Sequence, residues 1–502
     1  MSRDLSFLKS GTDVRGVALE GIAGQPVTLT GKEATDIAAA FAQYLADYAG
    51  KRPEELMISI GQDPRISSPD LAQAAMEGLT AQGCHVLDLG LCTTPAMFMT
   101  TLPEQLNCDG AIMITASHLP YNRNGLKFFT RDGGLDGKAI TDILSEAGHI
   151  RLRPAAGVVD QIEYLPDYAA LLTAKIRTAT GQEQPLSGLR ILVDAGNGSG
   201  GFFVTQVLQP LGADTAGSQF LEPDGRFPNH IPNPEDEEAM DAVRDAVLAN
   251  HADLGIIFDT DCDRAAVVDA SGQEINRNRL IALLADIYLR EQPGATIVTD
   301  SVTSAGLAEF IASRGGVHHR FKRGYRNVID EAIRLEKGGT AAPVAIETSG
   351  HCALKENYFL DDGAYVVTRL LIELAKLKAD GKRLGDLIED LKEPEEAAEL
   401  RLKILDKDFR KVGQEALEAV EKYAAQDEDW HLAPDNHEGV RVAFEGGEGD
   451  GWFLLRMSLH DPVMPLNIES DSPGGVAAIA AQLYPVLQDF EDLDLSPIKA
   501  LL

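Results

Sequence analysis

A hydroxyl, an imidazole and an ammonium stand close together where Thr115, Ala116, Ser117 and His118 are followed by Asn124, Gly125, Leu126 and Lys127. A serine oxygen is a weak nucleophile until a base or a cation activates it, so these residue types could carry a group on Ser117. The apolar run Gly110–Ile114 precedes the serine, and the exit of a buried strand is where α/β proteins hold their chemistry. Taken alone, Ser117 and His118 also read as a helix cap or a turn. A second cluster follows the apolar run Leu254–Phe258: Asp259, Asp261 and Asp263 alternate, and Arg264 closes the series. Alternation in an extended loop lets three carboxylates turn toward one point, and hard oxygen ligands of that kind suit Mg²⁺. An EF-hand is excluded, because Arg264 stands where that loop needs Gly and Ala270 where it needs Glu. Cys262, one thiol among carboxylates, makes a poor zinc set and reads as a spacer whose side chain points away. The competing reading is a solvated acidic turn.

Two further groups could bind a polar ligand. Glu347, Ser349 and His351 follow the apolar run Pro343–Ile346. A carboxylate and a hydroxyl two residues apart on a turn can grip adjacent sugar hydroxyls and reject ligands that lack them; an ordinary turn is the alternative. Upstream, Lys322, Arg323 and Arg326 form a local basic cluster in a chain whose net charge is −33. A basic surface turn is the plainer explanation. Near the end, Arg456 and Ser458 offer a guanidinium and a hydroxyl of the kind that hold phosphate.

Four blocks (115–127, 259–264, 347–351 and 456–458) resemble, in order and spacing, the α-D-phosphohexomutase superfamily, and most closely its phosphomannomutase/phosphoglucomutase branch. The resemblance runs over essentially the whole chain. It implies three similar α/β domains plus a smaller C-terminal α+β domain around a central cleft. It also implies interconversion of hexose 6-phosphate and hexose 1-phosphate, of mannose or glucose or both. Ser117 would carry the phosphoryl group, and hexose 1,6-bisphosphate would be the intermediate and activator. Mg²⁺ would be held by Asp259, Asp261, Asp263 and the group on Ser117. Lys127 and His351 would be the acid and base, with Arg264 nearby and His118 orienting Ser117 or its phosphate. Arg15 would lie near the phosphoserine; Arg65 would do the same or form a structural ion pair. Lys322 and Arg323 would sense sugar orientation, Glu347 and Ser349 would hold sugar hydroxyls, and Arg456, Ser458 and His460 would bind phosphate. The last block departs from the family: Leu459 replaces Gly, His460 replaces Thr, and a downstream Arg is absent. Leu119 replaces Asn after His118. Two other functions remain open. One is a Mg-dependent sugar phosphatase with Asp259 as nucleophile, since Leu254–Asp261 is similar to the opening strand of haloacid-dehalogenase-like hydrolases. The other is a non-catalytic sugar-phosphate binding protein.

The elements that must position these groups are legible as strand–helix alternation, which means α/β layers. Thr30 and Glu33 form a capping box, and Ile37, Phe41, Tyr44, Leu45 and Tyr48 recur behind it at helical spacing. Strands are expected at 56–60, 85–89, 110–114, 190–193, 254–258, 296–299 and 343–346, with a helix over 71–79. Polar stretches with Gly or Pro near 180–188, 291–294 and 392–396 predict boundaries. They give domains 1–187, 188–293, 294–394 and 395–502. The last has one helix over 408–425, then strands at 451–455 and 466–468. A net charge of −33 argues against nucleic acid and against anionic membranes. Five cysteines without C-x-x-C spacing fit free thiols in a reducing cytosol. No secretory leader is visible, and the apolar stretch Leu280–Leu289 is too short to span a bilayer. The expectation is a cytoplasmic monomer or homodimer acting on small hexose phosphates.

Overall fold

The helix Gly31–Ala49 begins at the expected capping box: Lys32 N donates to Thr30 Oγ1 (3.2 Å) and Thr30 N to Glu33 Oε2 (3.1 Å). Ile37, Phe41 and Leu45 are fully buried, while Tyr48 is exposed. Burying each such apolar side chain contributes roughly 1.5–3 kcal/mol. The structure, a computed structural model, describes residues 3–152, 156–434, 436–445, 449–458 and 461–502. Leu459 and His460, both singled out in the sequence, lie outside the described residues. Contacts divide the chain into two compact units, 1–276 with 349–386 and 277–348 with 387–502.

In the first unit one sheet runs in the order Lys9–Ser10, Asp13–Val17, Arg123–Thr130, Gly110–Ile114, Met57–Gln62, His85–Leu91, Val158–Gln161. Helices Gly31–Ala49 and Ser68–Ala81 belong to the same layered core. Gly110–Ile114 is buried along its whole length and pairs antiparallel with Arg123–Thr130, Met113 opposite Lys127 and Ile114 opposite Leu126. That hairpin brings Lys127 back to the loop that carries Ser117. A second sheet holds Ile191–Asp194, Leu254–Phe258, Ala265–Asp269 and Glu274–Ile275. Phe258 pairs with Ala265, so the alternating acids occupy the tight turn between two fully buried strands. The hairpin of Cys352–Leu354 with Leu360–Asp361 and the helix Gly363–Leu377 complete this unit.

The second sheet also holds a buried ion pair that makes stability depend on pH. His230 Nε2 lies 3.0 Å from Asp194 Oδ1. Burial opposes a charge on the ring, but Asp194 outweighs it and the histidine pKa ends above its usual value. A raised folded value means the contribution is whole below the unfolded pKa of about 6.5 and is lost as pH climbs through the folded pKa. His230→Gln is expected to lower Tm more at pH 6 than at pH 9. Equal losses at both would show that charge is not involved.

In the second unit Thr296–Thr299 lies parallel between Val317–Arg320 and Val344–Ile346. The remaining sheet is antiparallel, in the order Glu396–Lys403, Val463–Ser470, Gly451–Leu455, Val440–Phe444, His431–Leu432. Helices Phe409–Ala424 and Gly475–Leu487 contribute to its core, where Trp430 meets Phe444 and Phe453 edge-on. The strand expected over 466–468 is the middle of an eight-residue strand. Pro465 masks its length in the sequence, because proline is rare inside a sheet. No helix among the described residues is long and apolar enough to cross a membrane.

Candidate active site

Side chains from several segments of the first unit meet at Ser117. It sits just past the buried strand Gly110–Ile114 with φ of 51°, and its N–H donates to Thr115 Oγ1 (2.9 Å). Its hydroxyl donates to Asp259 Oδ2 (3.2 Å) and accepts from Arg264 Nη2 (3.1 Å). Arg264 Nη2 also donates to His118 Nδ1 (2.6 Å). His118 is therefore an acceptor there, and burial together with Arg264 pushes its pKa down to about 3. A neutral imidazole there accepts from Arg264 beside the serine hydroxyl.

The three acids are all buried, and their oxygens lie within 4.8 Å of one another. Burial and the repulsion of Asp263 push Asp259 well above the carboxylate range. Burial also works against a charge on Asp263, but Lys127, His351 and Arg264 hold it well below that range. Lys127 pairs with Asp263 and lies 3.5 Å from Asp261. One oxygen on each of Asp261 and Asp263 is buried and accepts no hydrogen bond. A buried acceptor left without a donor costs about 1–3 kcal/mol. Two such oxygens beside a third carboxylate fit a divalent cation with oxygen ligands, and Mg²⁺ in particular. Cys262, between the acids, is buried with φ of 62°.

His351 joins this group through an isolated antiparallel bridge to Arg264. Its Nδ1 lies 2.6 Å from Asp361 Oδ2. Burial opposes its charge, yet Asp361 and Asp263 outweigh that and hold the pKa up to about 9. Arg15 donates to Asp13 (2.8 Å), keeps a buried Nη1 without a hydrogen-bond partner, and feels the charge of Asp261 and Asp263. Ser349 is buried in the same unit.

Arg65, left open between two roles, has both an ion pair and the loop. Its Nε donates to Asp63 (3.0 Å), while its Nη atoms donate to the carbonyls of Ser117, Leu119 (2.6 Å), Pro120 (2.8 Å) and Arg123 (3.1 Å). It is 1% exposed. Arg65→Ala would strand Asp63 and free four carbonyls, so a loss of about 3–5 kcal/mol is expected. The measurement is the urea midpoint of unfolding. Arg65→Lys should recover little, because one ammonium cannot reproduce the guanidinium fork.

In the second unit, Glu347 Oε1 accepts from Gly324 N (2.5 Å) and Arg323 Nε lies 3.8 Å from Asp300. Lys322 is exposed. Arg456 is buried 3.8 Å from Glu438, and Ser458 Oγ accepts from Asp461 N (3.2 Å). Several participants carried no signal in the sequence. Thr94 donates its hydroxyl to Asp261 and its N–H to the Asp261 carbonyl (2.9 Å). Asn233 and Glu235 meet Arg264 at 3.3 and 3.4 Å. Asp361, which orients His351, was hidden beside Asp362, the cap of the following helix. Thr94, Asn233 and Glu235 are single residues far along the chain from their partners, and Asp361, ten residues from His351, belongs to no motif.

Three family models match in succession: phosphoglucomutase/phosphomannomutase alpha/beta/alpha domain I over residues 11–149, domain II over 166–272 and domain III over 276–394. A phosphomannomutase/phosphoglucomutase of Pseudomonas syringae pv. tomato is 32% identical, covering 87% of this chain and 88% of that protein. A phosphoglucomutase of Neisseria gonorrhoeae is 31% identical, covering 94% of this chain and 95% of that one. Among solved structures, a phosphoglucomutase/phosphomannomutase family protein of Burkholderia thailandensis superposes with a TM-score of 0.79 at 27% identity, over 98% of this chain and 100% of that one.

Proposed function

Because the chain belongs to the phosphoglucomutase/phosphomannomutase family, we propose that it is a phosphohexomutase that exchanges phosphate between the 1- and 6-positions of glucose and mannose through phospho-Ser117. The observation that carries this reading is the position of Ser117 Oγ, 3.2 Å from Asp259 and 3.1 Å from Arg264, at the edge of the buried acid trio. In the forward half-reaction the bond from phosphorus to Ser117 Oγ breaks. A bond to a sugar hydroxyl oxygen forms, and that hydroxyl gives up its proton. The bisphosphorylated hexose then returns its other phosphoryl group to Ser117. Phosphoryl transfer relies on positioning and on offsetting charge over the transferred oxygens. Mg²⁺ bound by Asp259, Asp261 and Asp263 would supply part of that offset. Arg264, which donates to Ser117 Oγ, would stabilise it as the leaving oxygen. Lys127 and His351 are the groups available to take and return the sugar proton. Glu347, Ser349, Lys322 and Arg323 would read the sugar, and Arg456, Ser458 and His460 the distal phosphate. The same reading places the enzyme in the cytoplasm, as a monomer or homodimer that binds neither nucleic acid nor membrane.

The test is an assay with glucose 1-phosphate, mannose 1-phosphate and glucosamine 1-phosphate, each with Mg²⁺ and a catalytic amount of the matching 1,6-bisphosphate. Turnover of the first two that depends on the bisphosphate is expected. Net release of inorganic phosphate, with label on Asp259, would mark an aspartyl phosphatase instead. Saturable binding without turnover would mark a sugar-phosphate binding protein.

A further inference from the structure

Glu438 precedes a short strand and belongs to none of the blocks that stand out in the sequence. In the second unit its carboxylate nevertheless reaches three segments at once. Oε2 accepts from Ser301 Oγ (2.5 Å) and from Arg323 N (3.1 Å), and Oε1 lies 3.8 Å from Arg456 Nη1. The side chains of Glu438 and Arg456 are only 13% and 10% exposed. Arg456 also keeps a buried Nε without a hydrogen-bond partner, and Glu438 is the foremost acid opposing its burial. The backbone is built for this approach. Val440 pairs with Leu455, which brings the residues before Val440 against Arg456. Gly439 has φ of 59°, and a Cβ there would lie 2.1 Å from the Leu455 carbonyl and 2.8 Å from Arg456 Cα. Only glycine lets the chain carry Glu438 into this position. Two successive N–H groups of the 322–326 turn are thus taken by acids from different segments, Arg323 N by Glu438 and Gly324 N by Glu347.

The geometry points to Glu438 as a positioning residue that ties the sugar-sensing turn at Arg323 to the phosphate-binding Arg456, so that the two recognition segments are held in one register. This rests on the mutase reading, in which Arg323 and Arg456 face substrate. A carboxylate that takes a backbone N–H, a hydroxyl and a guanidinium organises all three before the ligand arrives, and preorganisation of that kind shows in binding. Glu438 touches no reacting atom, so its loss should fall on KM and spare kcat.

Glu438→Ala is expected to raise KM for glucose 1-phosphate about tenfold, with kcat within about threefold, the size expected when two hydrogen bonds and one ion pair go. Glu438→Gln keeps an oxygen for Arg323 N and Ser301 Oγ but turns an amide nitrogen toward Arg456, so it should recover only part of the loss and leave KM about two- to fivefold above wild type. Ser301→Ala removes one donor, leaves Glu438 in place, and should raise KM about two- to fivefold. That variant decides the matter if Glu438→Ala loses its cooperative melt. Calorimetric binding of glucose 6-phosphate gives the same comparison without turnover. An inactive wild type would therefore sink the mutase reading while the clasp was still tested. The proposal is overturned if Ser301→Ala and a folded Glu438→Ala both keep wild-type KM and affinity, or if Glu438→Gln equals wild type, which would show that the link to Arg456 carries nothing.

Discussion

Ser117→Ala is expected to lower mutase turnover by at least about 10⁴-fold while leaving the protein folded, because removal of a covalent carrier takes the whole two-step route with it. Wild-type enzyme incubated with ³²P-labelled glucose 1,6-bisphosphate should retain label on Ser117, and the variant should retain none. The local backbone makes the folding half of this prediction sharp. Ser117 has φ of 51°, a region that costs an ordinary L-residue roughly 1–2 kcal/mol. Alanine inherits that strain without gaining any, and Thr115 Oγ1 still accepts the backbone N–H. Ser117→Gly relieves the strain but adds unfolded-chain entropy of roughly 0.5–1 kcal/mol, so its stability should be near wild type and its activity equally low. Full activity in either variant would remove Ser117 from the mechanism. Low activity with label still on the protein would move the phosphoryl group to another residue, and Asp259, a hydrogen-bond partner of Ser117, would be the first to examine.

The sequence reveals the parts of this site whose signal is local. The acid trio was legible because alternation after an apolar run is contained in six residues, and Phe258 paired with Ala265 turns that loop as expected. Ser117 and Lys127 were legible as types, but their meeting required the register of a hairpin, Met113 opposite Lys127. Arg65 could not be resolved, because its four carbonyl partners on 117–123 lie more than fifty residues away. Thr94 and Glu438 carry no signal for the same reason, and Asp361, only ten residues from His351, carries none because a lone acid beside a helix cap forms no motif. In the second unit Glu396–Lys403 escaped notice as a strand. It is an edge strand in which half the residues are charged and only Leu402 is buried, and charges on an edge discourage further pairing. Its neighbour Val463–Ser470 was shortened by Pro465, although the carbonyl of Pro465 still accepts from Arg456 N (3.1 Å).

Mg²⁺ is expected to raise the melting temperature of the wild-type protein and to be required for turnover, and Asp261→Asn is expected to lose both effects together. Asp261 is fully buried, and one of its oxygens is already held by Thr94 while the other accepts nothing. The free oxygen is the one a cation would use. An asparagine in its place has the same shape but lacks the charge, and its amide nitrogen is a donor. Three carboxylates within 4.8 Å of one another repel, and Asp259 carries that strain as a raised pKa, with burial the larger cause and Asp263 the next. A dication relieves the repulsion only in the folded state. At a concentration a hundredfold above Kd it therefore adds about 2.7 kcal/mol to stability. The variant should be stable without metal, because one repelling charge is gone, and should show no Mg²⁺-dependent shift in Tm. Its turnover should fall about 10²–10³-fold, the usual cost of removing one element of transition-state charge stabilisation. The thermal shift is read without substrate, so it tests the cation site apart from the catalytic reading. An unchanged Mg²⁺ shift in Asp261→Asn would mean that the ion binds elsewhere. A wild-type protein whose Tm and turnover both ignore Mg²⁺ and chelator would leave the buried acids as partners of Lys127, Arg264 and His351 alone.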